Sequence, residues 1–236
     1  MVRGIAIIMM VGFHLLFDLE YFGLIDIPLY EGTLGLFAFS IGTLFLLVVG
    51  ISLHLSYEAV RGRMDRAGIR LKYFGRGTGV FGLGLLITAF TYLAIGNGFI
   101  VFGVLHLIGL SIILAIPFLG RWELSLGAGA LALAGGVILA DHSYPFPWLL
   151  WLGLRPEVFY TLDYFPVLPW FGVVLIGTSL GYAFFPHRTR RFRVASSPPA
   201  RPISALAFLG RYSLVIYFLH QIVIFGAIGA YVALAG

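Results

Sequence analysis

The chain predicts an all-α integral membrane protein, a polytopic bundle of about seven transmembrane helices forming one domain over residues 1–236. Three observations lead there. Sixty per cent of the residues are hydrophobic and 11% are charged, whereas about a quarter of the residues in soluble domains carry charge. Apolar runs long enough to cross a hydrocarbon core recur from end to end. The basic residues gather in alternate connections, as the orientation of membrane proteins requires. The length leaves no room for a second folded domain of ordinary size. With no cysteine, disulfides, thiolate nucleophiles and Cys-ligated metals are excluded, leaving His, Ser, Tyr or a carboxylate for covalent chemistry.

The apolar runs place spans at residues 4–22, 35–57, 77–95, 99–118, 123–140, 167–185 and 206–234. The first has the basic start and apolar run of a signal peptide. It lacks a small-residue cleavage site and carries His14 and Asp18, so it reads as a retained first helix. The last is long enough to contain an interfacial turn, with the membrane segment beginning nearer Ser213 and Arg211 at the interface. Two connections are strongly basic. Arg61, Arg63, Arg66, Arg70, Lys72 and Arg76 lie between the second and third spans, and Arg188, Arg190, Arg191, Arg193 and Arg201 between the sixth and seventh. Both clusters, with Arg3, Arg121 and Arg211, fall on one side if the N-terminus is cytoplasmic and the C-terminus external. Glu20, Asp26, Glu31, Asp141, Glu157 and Asp163 then lie outside. The prolines of SSPPARP, residues 196–202, break any helix in the second basic loop. The external stretch 141–166 is too rich in proline for a span, while its aromatics suit an interface or a cap over the outer mouth. Glycine, at 31 residues, allows close helix approach.

Polar residues inside the spans point to a site, because an ionisable group in a membrane is expensive enough to need a partner and a purpose. Arg3 and His14 are eleven positions apart in RGIAIIMMVGFH. That interval is about 16 Å along a helix and close to whole turns, so both lie on one face with His14 at mid-bilayer. Asp18 follows one turn later, in reach of the imidazole. On the last span Tyr217, His220 and Gln221 share a face. His106 lies in the fourth span, Asp163 at the outer mouth of the sixth, and His54 near the cytoplasmic end of the second. Turned inward together, these histidines would form a column across the membrane. Hydrogen bonding between helices for packing alone is the plainer use of each, and topology by itself accounts for the loop arginines.

The runs RGIAIIMMVGFHLLFDLEYFG, FLLVVGISLHLSY, FGVLHLIGLS, DYFPVLPWFGVVLIG and LGRYSLVIYFLHQIVI together resemble the prokaryotic membrane proteins of the heparan-alpha-glucosaminide N-acetyltransferase-like catalytic domain family. The likeness spans almost the whole chain. The first and last runs also resemble the broader transmembrane acyltransferases, in which an arginine, ten residues and a histidine form a signature that Arg3 and His14 match.

The resemblance implies transfer of an acyl group, acetyl foremost, from cytosolic acyl-CoA to a carbohydrate-like acceptor, a sugar or amino sugar, at the opposite face of the cytoplasmic membrane. In that reading His14, oriented by Asp18, is base or acyl carrier with His220 beside it, and Arg3 and His54 hold the acyl-CoA. His106, Tyr217, Gln221 and Asp163 would contact the acceptor. The resemblance has a gap. The eukaryotic enzymes carry a histidine assigned to hold acetyl after the first helix, and the corresponding LIDIPLYEGTLG has none. The expected partners are the lipid bilayer, acyl-CoA and the acceptor, without nucleic acid, and with homo-oligomerisation left open. Neither metal nor haem is expected, since no helix has two histidines at the regular spacing of a two-haem bundle. A second class stays open: a carrier or channel with a histidine-lined polar path, against which the lack of an inverted repeat counts.

Overall fold

Apolar runs bounded by glycine and proline become helices, and the computed structural model describes residues 1–140, 142–145, 147–186 and 201–235. Among the described residues eight α-helices follow in order: α1 Val2–Tyr21, α2 Gly32–Val60, α3 Arg66–Ile95, α4 Val104–Leu114, α5 Trp122–Ala140, α6 Val167–Phe184, α7 Arg201–Arg211 and α8 Ser213–Ala235. Short 3-10 turns occupy Ile116–Phe118 and Pro147–Leu152. The arginines 188, 190, 191 and 193, residues 196–200 of the proline-rich stretch and Asp141 lie outside the described residues.

Among the described residues six helices, α1, α2, α3, α5, α6 and α8, are long and apolar enough to cross a membrane. The expected span at 99–118 contracts to the 11 residues of α4, about 16 Å and half of a hydrocarbon core. Gly103 caps its start in an extended conformation, and Pro117 tightens its end into the 3-10 turn. The third helix begins eleven residues earlier than its apolar run. Asp65 caps it by accepting from the Gly68 amide at 2.9 Å, so Arg66, Arg70, Lys72 and Arg76 are helical rather than looped. The last span divides at Tyr212 into the amphipathic α7 and the apolar α8.

The chain forms two compact units. Residues 1–45 and 194–236 make the first, and residues 46–193 the second, so α2 contributes to both. In the first unit, Ile7, Met10 and Phe13 of α1 pack with Leu29 and Ile41, and Ile216 and Tyr217 of α8 close over them. Helices α1 and α8 run parallel: His14 meets His220, Asp18 meets Gln221, and Phe22 meets Phe225. At the start of α1 a Cβ on Gly4 would run into the Leu206 carbonyl of α7, so only glycine permits that crossing.

The second unit is built from antiparallel pairs with small residues at the contacts. Gly109 of α4 lies against the backbone of Phe81 in α3, and Gly129 of α5 against the carbonyl of Gly172 in α6. The later half of α2 joins at Gly50, which meets the Val174 carbonyl and Gly177. Without a hydrophobic driving force between helices in lipid, such backbone proximity supplies the packing attraction.

Candidate active site on α1 and α8

His14 lies 12 residues into α1, about 18 Å along its axis from Val2. Its Nδ1 donates to the Met10 carbonyl at 2.9 Å. The ring stands edge to face with His220, centroids 4.7 Å apart and planes at 81°. His220 Nδ1 donates to the carbonyls of Tyr217 at 2.7 Å and Ile216 at 3.2 Å. Carbonyls only accept, so each neutral imidazole carries its proton on Nδ1 and a lone pair on Nε2. Two basic nitrogens are thus presented by neighbouring helices. His220 Nε2 is buried and has no partner among the described residues.

Asp18 is fully buried, and its Oδ1 accepts from Gln221 Nε2 at 2.7 Å. The bond expected between Asp18 and His14 is absent. Side chains on a helix lean toward its N-terminus, which takes the His14 ring back to its own Met10 carbonyl and leaves Asp18 to a donor on α8. Asp18 Oδ2 and Gln221 Oε1 are likewise buried without partners among the described residues. Tyr217 stands with its ring 5.7 Å from His220 and 6.4 Å from Phe45, at the border between this cluster and the apolar core. Arg3 sits where α7 passes α1, its Cβ beside Gly210.

His54, His106 and Asp163 belong to the second unit. His106 Nδ1 accepts from the Gly103 amide at 3.2 Å, and its Nε2 lies 3.3 Å from Thr88 Oγ1. The Thr88 hydroxyl proton is given to the Ile100 carbonyl at 2.7 Å, so His106 donates from Nε2 and has the opposite tautomer to His14 and His220. The ring is stacked on Phe102 and edged by Phe81. Both ring nitrogens are hydrogen-bonded within the fold, where they anchor the start of α4. Asp163 serves the same helix end, its Oδ2 accepting from the Val104 amide at 3.0 Å. Burial lifts its carboxyl to about 6, against the lowering effect of that amide. Around it residues 160–165 are tied to 98–102 by Leu162 N to Gly98 O and Phe165 N to Phe102 O, both 3.0 Å, and by Thr161 Oγ1 to Phe99 O at 2.8 Å.

His54 is buried with Nε2 donating to the Phe185 carbonyl at 3.2 Å, which leaves its lone pair on Nδ1. It lines a narrow surface crevice with Arg121, Trp122, Ser125, Thr178 and Tyr182, with no enclosed room for a water. Trp122 and Tyr182 stack there at 6.1 Å. The sequence offers no signal for Trp122, Tyr182 or Thr88, whose roles come from residues far along the chain. Among the described residues no group of three or more His, Asp or Glu is placed to hold a metal ion.

No curated protein and no solved structure matches the chain. The family model described as heparan-alpha-glucosaminide N-acetyltransferase, catalytic, matches residues 1–222 of the 236, and the chain therefore belongs to this family.

Proposed function

We propose that the protein moves an acetyl or other acyl group from cytosolic acyl-CoA to a sugar or amino-sugar acceptor at the opposite membrane face, with His14 at the reacting centre. Membership in the family implies a membrane acetyltransferase that uses acetyl-CoA. The observation that carries the finer reading is the His14–His220 pair, whose Nδ1 protons are held by their own helices so that Nε2 is the basic atom of each ring. An acceptor O–H or N–H gives its proton to Nε2 of His14 as its oxygen or nitrogen bonds to the thioester carbonyl carbon. Collapse breaks the C–S bond, and the imidazolium returns the proton to the CoA sulfur. The same nitrogen can instead take the acyl group first, as a covalent carrier.

Arg3 at the start of α1 in the first unit, and separately His54 in the second, are the groups we assign to acyl-CoA. Tyr217 lies beside His220 on the acceptor side. The parallel course of α1 and α8 supports their starts on one face and their ends on the other, and therefore a path in which the α4 segment also traverses; the basic connections favour the cytoplasm for the starting face.

The test is turnover of labelled acetyl-CoA by the detergent-purified chain with a pool of sugars and amino sugars. His14→Ala is expected to lower acyl transfer by about 10²–10⁴-fold while acetyl-CoA binding persists. Label retained on the protein without acceptor identifies the covalent route. Transfer unchanged in the variant removes His14 from the chemistry, and absence of acetyl-CoA binding by the wild type refutes the reading.

A further inference from the structure

The cluster at the α1–α8 contact is short of donors. Asp18 Oδ2, Gln221 Oε1 and His220 Nε2 are all buried and all unpartnered among the described residues. They sit on linked side chains, since Gln221 follows His220 in sequence and its amide nitrogen is already given to Asp18 Oδ1 at 2.7 Å. His220 has likewise given its only proton to backbone carbonyls. Leaving such an atom without a partner is costly where water is excluded. A carboxylate oxygen, an amide oxygen and an imidazole lone pair have one need in common. Only hydrogen-bond donors can satisfy them, and an anionic oxygen brought among them would add repulsion from Asp18 to three unmet acceptors.

We propose that Asp18, Gln221 and His220 form the specificity-determining wall of the acceptor site, reading the O–H or N–H donors of a neutral or amine-bearing ligand and rejecting anionic ones, acyl-CoA phosphates included. The proposal rests on the acyltransferase reading for the word acceptor, and on the orphaned atoms for the chemistry recognised. It gives Gln221 two duties: its nitrogen orients Asp18, and its oxygen faces the ligand. It also separates the two substrates chemically, because the phosphate-bearing one must be held by cationic groups elsewhere.

Thermal unfolding of the full chain in detergent, with glucose, glucosamine and glucose phosphate as probes, tests this without needing turnover. The neutral sugar, the amino sugar or both are expected to raise Tm by about 3 °C near saturation, and glucose phosphate to leave it unchanged. The two unphosphorylated arms tell a hydroxyl-reading site from an amine-reading one. Asp18→Asn sets a donor of the protein's own beside Gln221 Oε1 and should abolish the shift, as should Gln221→Leu. A shift retained in Asp18→Asn, an equal shift with the sugar phosphate, or no shift with either unphosphorylated sugar overturns the proposal. Sugar stabilisation by a protein that fails to turn over acetyl-CoA would instead refute the acyltransferase reading and leave the donor-reading wall standing.

Discussion

Thr88→Val is the sharpest probe of whether His106 is an anchor or a ligand-binding group. The substitution keeps side-chain shape and removes one hydroxyl that donates to the Ile100 carbonyl at 2.7 Å and accepts from His106 Nε2 at 3.3 Å. Both of those groups then lose a partner in the interior of the α3–α4 pair. Orphaning a buried polar group costs about 1–3 kcal/mol in soluble proteins, while hydrogen bonds between membrane helices average about 0.6 kcal/mol with a maximum near 1.7. Two losses therefore sum to about 1–3 kcal/mol. The assay is reversible unfolding in mixed micelles followed by tryptophan fluorescence, with acceptor KM measured in parallel. His106→Phe should destabilise comparably, and the double variant should cost less than the sum, with a coupling of about 1 kcal/mol. The reasoning fails if Thr88→Val stays within about 0.3 kcal/mol of wild type, or if His106→Phe raises acceptor KM without changing stability.

Three further outcomes follow from the geometry. The Asp163 carboxyl has its pKa raised to about 6 in the folded chain from 3.8, so its contribution to stability is full below pH 3.8 and is lost as pH rises through 6; Asp163→Asn should flatten that stretch of a Tm-against-pH curve, and an unchanged slope would show that other groups set it. Gly4→Leu forces a side chain into the Leu206 carbonyl and should destabilise by about 1–3 kcal/mol, the usual range for overpacking, read by the same micelle unfolding; a neutral result would mean that α7 does not hold its place against α1. His54→Ala removes the lone pair in the Trp122–Tyr182 crevice and should weaken acetyl-CoA binding about fivefold, equivalent to one neutral hydrogen bond, with saturated turnover unchanged; equal affinity would take acyl-CoA out of that crevice.

The helical class and the apolar segments were legible because hydropathy and loop charge act residue by residue, without reference to neighbours in space. The face shared by Tyr217, His220 and Gln221 was legible for the same reason, being a property of one helix. What failed needed a partner from elsewhere. The run at 99–118 has the hydropathy of a span, and only the extended Gly103 and the 3-10 turn at Pro117 reduce it to 11 helical residues. Asp18 and His14 have ideal spacing for a bond, yet an amide on α8 and a carbonyl on α1 compete better for them. The bonds that tie His106 to Thr88 and Gly103 likewise come from elsewhere in the fold and leave no mark in the sequence.

The imidazoles of His14 and His220 draw their tautomer from backbone carbonyls three and four residues upstream rather than from a side chain. Which nitrogen is basic is thereby written into helical geometry itself. Met10 and Tyr217 contribute only main-chain oxygen to this, so exchanging Met10 for another helix-former leaves the proton where it is. Unwinding α1 by a single turn at that point would not. It would free the Nδ1 proton of His14 and let the ring present either nitrogen, so that local helix order decides which nitrogen holds the lone pair.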